Sequence, residues 1–198
     1  MRYTGSKNKL ARREGVDLGL KSKPVDTSRA VGPHGGARRG KLSEFGTQLR
    51  AKQTAKRIYG LSEKQFRNLF EKAANGRHPT GVTFVTSLER RFDNIIYRSG
   101  FAVTRAQARQ MVNHRAFLVN GIRMDIPSYQ AKAGDVITVR EKTLDHPVLR
   151  SMESVKTKAP SWLSVNIKNR TIEVTRLPEE ADAEQLVNVQ SIIEFYSR

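Results

Sequence analysis

The apolar residues of this chain keep one spacing up to residue 112 and another from residue 116, and that change of period limits what it can fold into. Before it, Phe66, Leu69, Phe70 and Ala73 recur at i, i+3, i+4 and i+7, the mark of a helix with one buried face. Phe84, Val85, Leu88, Phe92, Ile95 and Ile96 make a longer stripe that ends at Gly100. Ala108, Met111 and Val112 are the inward face of a short helix from Thr104 to about residue 113. Then Ala116-Phe117-Leu118-Val119, the turn pair Asn120-Gly121, and residues 122–126 read as two strands around a tight turn, closed by Pro127. Gly134-Asp135 turns into a third strand at 136–139. Residues 163–167 and 171–174 alternate about Asn169-Arg170 as a second hairpin, and Leu186, Val189, Ile192 and Ile193 predict a last helix over 185–196.

Local chemistry sharpens some of these boundaries. Ser62-Glu63-Lys64-Gln65 and Thr104-Arg105-Ala106-Gln107 are capping-box patterns, a hydroxyl at the start and a Gln three residues on. Ser43 is placed to cap a helix over 43–57 with a sparse apolar face of Phe45, Leu49 and Ile58, stopped by Gly60. Residues 1–42 keep no period and are rich in Gly, Lys and Arg, as in Gly32-Pro33-His34-Gly35-Gly36-Ala37-Arg38-Arg39-Gly40. That stretch reads as an extended basic arm that orders on a partner; a solvated tail is the other reading of the same composition.

Charge narrows the partner. In 198 residues, 36 Lys and Arg face 19 Asp and Glu, a net charge of +17. Residues 1–60 carry 15 basic and 4 acidic side chains, residues 61–142 carry 14 and 7, and residues 143–198 carry 7 and 8. Such an excess repels itself, and a polyanion meeting the first two-thirds relieves it. Nucleic acid fits, whereas the longest apolar run, Ala116 to Val119, is far too short to span a bilayer. With no cysteine, disulfides, thiol catalysis and Cys-based zinc sites are excluded, and the four histidines are too scattered to share a local ligand motif. A soluble, intracellular protein without metal or cofactor is expected.

The stretch from Leu88 to Val139 carries the most specific signal. Arg105 and Arg109 are i,i+4 neighbours, Gln107, Gln110 and His114 form an adjacent stripe, Arg90 and Arg91 leave the preceding apolar face, and Arg123 rides on the first hairpin. Guanidinium and amide groups on a rigid platform suit phosphates and 2′-hydroxyls, and folded RNA is read largely by its backbone. An ordinary solvated helix face is the alternative for such a row. Ser87-Leu88-Glu89-Arg90-Arg91-Phe92-Asp93-Asn94, Thr104 through Val112, Val119-Asn120-Gly121, Ile126-Pro127-Ser128-Tyr129 and Gly134 through Val139 together resemble the RNA-binding motif named after small-subunit ribosomal protein four. That motif also occurs in pseudouridine synthases, some tRNA synthetases and a heat-shock RNA-binding protein. Arg2-Tyr3-Thr4-Gly5, Ala11 through Gly15, Leu42 through Gly46, Arg57-Ile58-Tyr59-Gly60 with Ser62 through Phe70, Trp162-Leu163 and the final Ile193 through Arg198 extend the likeness to the bacterial ribosomal family itself.

The resemblance implies an α+β fold: a basic arm over 1–42, a helical domain over 43–88 joined by a C-terminal helix over 185–198, and an α/β RNA-binding domain over 89–184 with a helix pair and a small, mostly antiparallel sheet. It implies a structural, non-enzymatic component of the small ribosomal subunit in the cytoplasm. Its partners would be the five-way junction in the 5′ domain of small-subunit rRNA, small-subunit protein five, and mRNA where it enters the subunit. Early binding, nucleation of assembly and an effect on decoding accuracy follow from the same likeness. The residues expected to meet RNA are Arg2, Lys7, Arg12, Arg13, Arg38, Arg39, Arg50, Arg57, Arg90, Arg91, Arg105, Gln107, Arg109, Gln110, His114, Asn120 and Arg123. Asp93 either pairs with a neighbouring arginine and orients it or sits solvated. Phe66, Phe70, Phe92 and Trp162 either pack in the core or stack on bases. Many members of the family bind zinc through four N-terminal cysteines; here Asn8 and Ala11 stand where the first pair would be. An RNA-modifying enzyme would need a further catalytic domain for which residues 143–198 are too few, and no Walker loop or hydrolytic triad is present. A free heat-shock RNA-binding factor fits the long arm and C-terminus poorly.

Overall fold

The computed structural model describes residues 3–32, 41–141 and 159–197, and within them two compact units form: residues 1–84 with 184–198, and residues 85–183. The arm that reads as extended contains a helix, α1 (Lys7–Glu14), which is a correction to the sequence reading. Only Ala11 of it is buried, so there was no apolar period to detect. Gly15, at φ 76°, closes it in the left-handed conformation that glycine adopts without strain. Asp17 then accepts hydrogen bonds from the backbone N–H groups of Gly19 and Val25, both at 3.1 Å, and folds the following segment back.

Ser43 caps α2 (Glu44–Ile58), accepting from the Gly46 N–H. Its buried face agrees with the expected one at Ile58 and differs elsewhere: Phe45 is about half exposed, while Gln48, Lys52 and Ala55 turn inward. That face is partly polar because it has partners. Gln48 donates to Glu194 at 3.1 Å, and the Lys52 ammonium reaches Glu63 at 2.7 Å and lies 4.5 Å from the centre of the Phe195 ring. α3 (Glu63–Ala74) opens on the expected capping box, with Ser62 accepting from the Gln65 N–H and Gln65 accepting from the Ser62 N–H. Phe66 and Phe70 meet Phe84 edge-on at 5.1 and 5.5 Å.

The long stripe beginning at Phe84 is two helices rather than one, α4 (Thr80–Glu89) and α5 (Phe92–Arg98). All six of its apolar residues are buried, so the spacing survives the break. α6 (Arg105–Asn113) buries Ala108, Met111 and Val112 as expected. The last helix, α7 (Val189–Tyr196), is shorter than expected, because Asn188 caps it by accepting from the Ser191 N–H at 3.0 Å. It packs in the first unit: Tyr196 stacks on Phe70 at 4.6 Å, and a Cβ added to Gly81 would come within 3.2 Å of Val189.

The strands are β1 (Phe117–Val119), β2 (Ile122–Met124), β3 (Val136–Val139), β4 (Leu163–Asn166) and β5 (Thr171–Val174), in a fully antiparallel sheet of order β2-β1-β3-β5-β4. Asn120 and Gly121, at φ 49° and 79°, make the tight turn between β1 and β2. One face of the sheet, through Phe117, Val119, Ile137, Val139, Ile172 and Val174, packs into a core with Phe92, Ile95, Ile96, Met111 and Val112. Trp162 is fully buried there. Phe66, Phe70 and Phe92 are buried too, so all four aromatic side chains serve packing, each worth about 2–3 kcal/mol of burial.

Candidate nucleic-acid interface

The break between α4 and α5 is where the polar chemistry of the second unit begins. Arg91 adopts an extended backbone and bridges to Gln130, while the N–H groups of Phe92 and Asp93 donate to Tyr129 and Pro127 carbonyls at 2.9 and 3.2 Å. Stitched in this way, Arg91 turns its guanidinium inward and forks onto Asp93 at 3.1 and 2.8 Å. Arg109 on α6 reaches the same carboxylate, 3.6 Å from Oδ2. Asp93 therefore pairs, and with two arginines; one buried negative charge faces two positive ones.

A second chain of groups runs beside it. The Arg105 guanidinium donates to Asn94 Oδ1 at 2.9 Å and stacks over the Tyr97 ring at 4.2 Å. Asn94 in turn donates to Glu89 at 2.8 Å, and Arg98 forks onto that same carboxylate at 2.8 and 3.0 Å. Arg105 and Arg109 thus share a face of α6, as their spacing requires, but it is the face turned to α5. Arg91 and Arg105 keep only 3% and 8% of their surface exposed. Buried guanidiniums with matched acceptors hold the helix pair in one geometry, because leaving any one of these charges unpaired would be costly.

The accessible part of the expected set is the outer flank. Arg109 is partly exposed, its chain neighbour Gln110 and the C-cap His114 are exposed, and Arg123 is exposed on β2. Arg90 is partly exposed and anchored by donating to the Ala131 carbonyl at 2.8 Å. Gln107 completes the helix start instead, accepting from the Val103 N–H at 2.7 Å while Thr104 accepts from the Gln107 N–H. Asn120 is exposed by area, yet its side chain accepts from the Val136 N–H and donates to Asp135, both at 2.9 Å. Burial would raise the Asp135 pKa, but bonds from the Lys132 N–H, Asn120 and Tyr129 hold it below the ordinary carboxylate range.

In the first unit the fully buried Glu14 carboxylate pairs with Arg50 at 3.2 Å and with Arg57, so one acid again holds two arginines. Arg12 donates to the Asp26 carbonyl at 3.2 Å, Lys7 is partly exposed at the start of α1, and Arg13 is exposed. Arg2, Arg38 and Arg39 lie outside the described residues. Zinc does not fit where the first cysteine pair would stand: Asn8 and Ala11 lie on α1, Ala11 is buried, and an alanine offers no donor. Sequence reasoning missed Glu14, Glu89, Asn94, Tyr97 and Asp135. The one signal available was a carboxylate, Glu89, inside an otherwise apolar stripe.

Residues 2–89 match the family described as ribosomal protein S4/S9 N-terminal domain, and residues 90–137 match the S4 domain. A polar helix pair on a small antiparallel sheet, in a chain of charge +17, is the build of an RNA-binding protein. Small ribosomal subunit protein uS4 of Chromobacterium violaceum is 46% identical over 205 aligned residues, covering 100% of this chain and 99% of that one. The uS4 proteins of Marinobacter nauticus and Xanthomonas campestris pv. campestris are also 46% identical, again over 100% of this chain and 99% of theirs. The chain belongs to the uS4 family: it is a structural, RNA-binding component of the small ribosomal subunit and not an enzyme. No helix among the described residues is long and apolar enough to cross a membrane.

Proposed function

We propose that this protein binds the junction in the 5′ domain of small-subunit rRNA directly, and that it does so early enough to nucleate assembly of the cytoplasmic subunit. In the finished subunit it touches small-subunit protein five and lies where mRNA enters, and through these neighbours it contributes to decoding accuracy. The observation that carries the RNA reading is the shared carboxylate of Asp93. It pairs with Arg109 as well as with Arg91, so the partly exposed Arg109 guanidinium is held by an ion pair on the helix that also carries the exposed Gln110 and, at its C-cap, His114. A donor fixed before binding loses little freedom when it meets a phosphate. Arg90 and Arg123 extend the flank. Arg91, Arg105 and Gln107 act from behind it, and the Glu14-held pair Arg50 and Arg57, with Lys7, Arg12 and Arg13, supplies a basic surface on the first unit. Arg2, Arg38 and Arg39 would add to it.

The test is a salt titration of binding to a 5′-domain junction fragment and to an unrelated folded RNA of equal length. Arg109→Glu/Arg123→Glu is the variant of choice, since both side chains reach solvent. Junction preference, a steep salt dependence and a loss of roughly 100-fold or more in the variant are expected. Equal affinity for both RNAs would sink the specific reading.

A further inference from the structure

Two arginines of this chain occupy backbone positions that suit glycine. Among the described residues, the non-glycine residues at positive φ are Arg115 at 61°, Asn120 at 49° and Arg170 at 51°. Asn120 is a residue type that tolerates the left-handed region, and it sits in the turn that requires it. The arginines have no such excuse. Arg115 ends α6: its N–H donates to the Val112 carbonyl at 2.8 Å, and the Ala116 N–H donates to Met111 at 3.1 Å. That pair of bonds is the helix-terminating arrangement in which the left-handed position is usually glycine. Arg170 closes the turn between β4 and β5, its N–H donating to the Ile167 carbonyl at 3.2 Å, again at a place where a Cβ is a steric burden.

Both lie at the same end of the sheet. The Arg140 N–H donates to the Ala116 carbonyl at 2.9 Å, its guanidinium reaches the Arg115 carbonyl at 3.5 Å, and the Val139 N–H donates to the Arg170 carbonyl at 3.3 Å. Arg115, Arg140 and Arg170 therefore stand at the ends of β1, β3 and β5, which are successive neighbours in the sheet. Strands lie about 4.8 Å apart, so the row is roughly 10 Å long, enough to meet more than one phosphate of a nucleic-acid strand. Arg115 is exposed, and Arg140 and Arg170 are partly so. Asp125 pairs with Arg115 at 3.0 Å, both side chains being about half exposed, and Glu141 follows Arg140 in sequence. A surface pair of that kind is weak and exchangeable.

We infer that the Arg115–Arg140–Arg170 row is a second RNA-backbone contact of this unit, held at the strand ends just beyond the C-terminus of α6. The inference rests on the RNA-binding reading above. Its physical basis is that backbone strain kept at two arginines in one row is explained by what their side chains do, since glycine would fit the chain better at both.

The experiment is the double variant Arg115→Gly/Arg170→Gly in the full-length protein, with Arg67→Ala/Lys72→Ala on α3 as a control of equal charge loss. Three quantities are read: thermal midpoint, salt dependence of binding to small-subunit rRNA, and hydroxyl-radical footprint. The glycine variant is expected to melt at the wild-type temperature or above it. It should bind roughly tenfold or more weakly, with a log–log salt slope shallower by about 2, and lose protection over one discrete backbone patch. The control should keep that patch. An unchanged footprint and slope in the glycine variant, or an equal loss in the control, would overturn the inference. If wild-type protein itself shows no preference for the rRNA, the RNA reading fails first; if it binds and the glycine variant matches it, the row alone fails.

Discussion

Asp93 carries the wrong sign for a surface that attracts phosphate, and its burial between Arg91 and Arg109 explains its presence. Asp93→Asn raises the net charge by one, so simple attraction predicts tighter RNA binding. The geometry predicts the reverse: Arg109 loses its anchor, and junction affinity falls roughly tenfold, with a stability loss of about 1–3 kcal/mol. Urea melts combined with RNA titration of the folded variant separate the two, and tighter binding would refute the anchoring role. Glu63 makes a different prediction at the same scale. Burial alone would push its carboxyl up, but hydrogen bonds and charge from Lys52 and Lys56 hold it down at about 2. Because the folded value lies below the unfolded one, near 4.3, its contribution is complete above about pH 5 and fades as pH falls toward 2. The Glu63 side chain is about half exposed, so the pair is worth only about 0.5–1 kcal/mol. Wild type should exceed Glu63→Gln by that margin in urea at pH 6, and the two should converge near pH 2.

At the scale of elements, what was legible in the chain is what short-range chemistry dictates. The capping box at Ser62 and Gln65 and the Asn120-Gly121 turn place α3 and the β1–β2 hairpin within a residue or two, because each needs only neighbours in sequence. α1 had too few apolar residues for a period. The inward face of α2 was hidden because Gln48 and Lys52 look like surface residues until Glu194 and Glu63 are brought to them by tertiary folding. The break before α5 was invisible because Leu88 and Phe92 stay four residues apart across it. The candidate site was legible as a set of residue types, not as a direction: only the packing of Asp93 and Asn94 against α6 decides that Arg105 faces inward. Asn120 tests this distinction. Asn120→Gly keeps the turn conformation but removes the bonds to Val136 and Asp135. It should cost about 1–2 kcal/mol in denaturant unfolding while leaving the RNA affinity of the folded protein within about twofold. A large affinity loss at unchanged stability would instead make Asn120 an RNA contact.

For the whole molecule, the excess of 36 basic over 19 acidic residues acts oppositely on folding and on binding. Salt screens self-repulsion, so the free protein should gain stability as sodium chloride rises from about 0.02 to 0.2 M, a range over which the Debye length shrinks from roughly 20 to 7 Å. RNA affinity should fall over the same range. Parallel urea melts and binding titrations read both, and a stability that falls with salt would show that internal ion pairs outweigh the repulsion. The discontinuity of the first unit has a temporal consequence. Residues 85–183 leave a translating ribosome as one unbroken stretch, whereas the unit begun by residues 1–84 needs α7, which is synthesised after that stretch. At about 5–20 residues per second, the nascent N-terminal helices wait on the order of 6–20 s for Phe195 and Tyr196 to arrive. The unit of residues 85–183 is thus free to mature before the unit that precedes it in sequence, so in a new copy of this ribosomal protein the part made first is finished second.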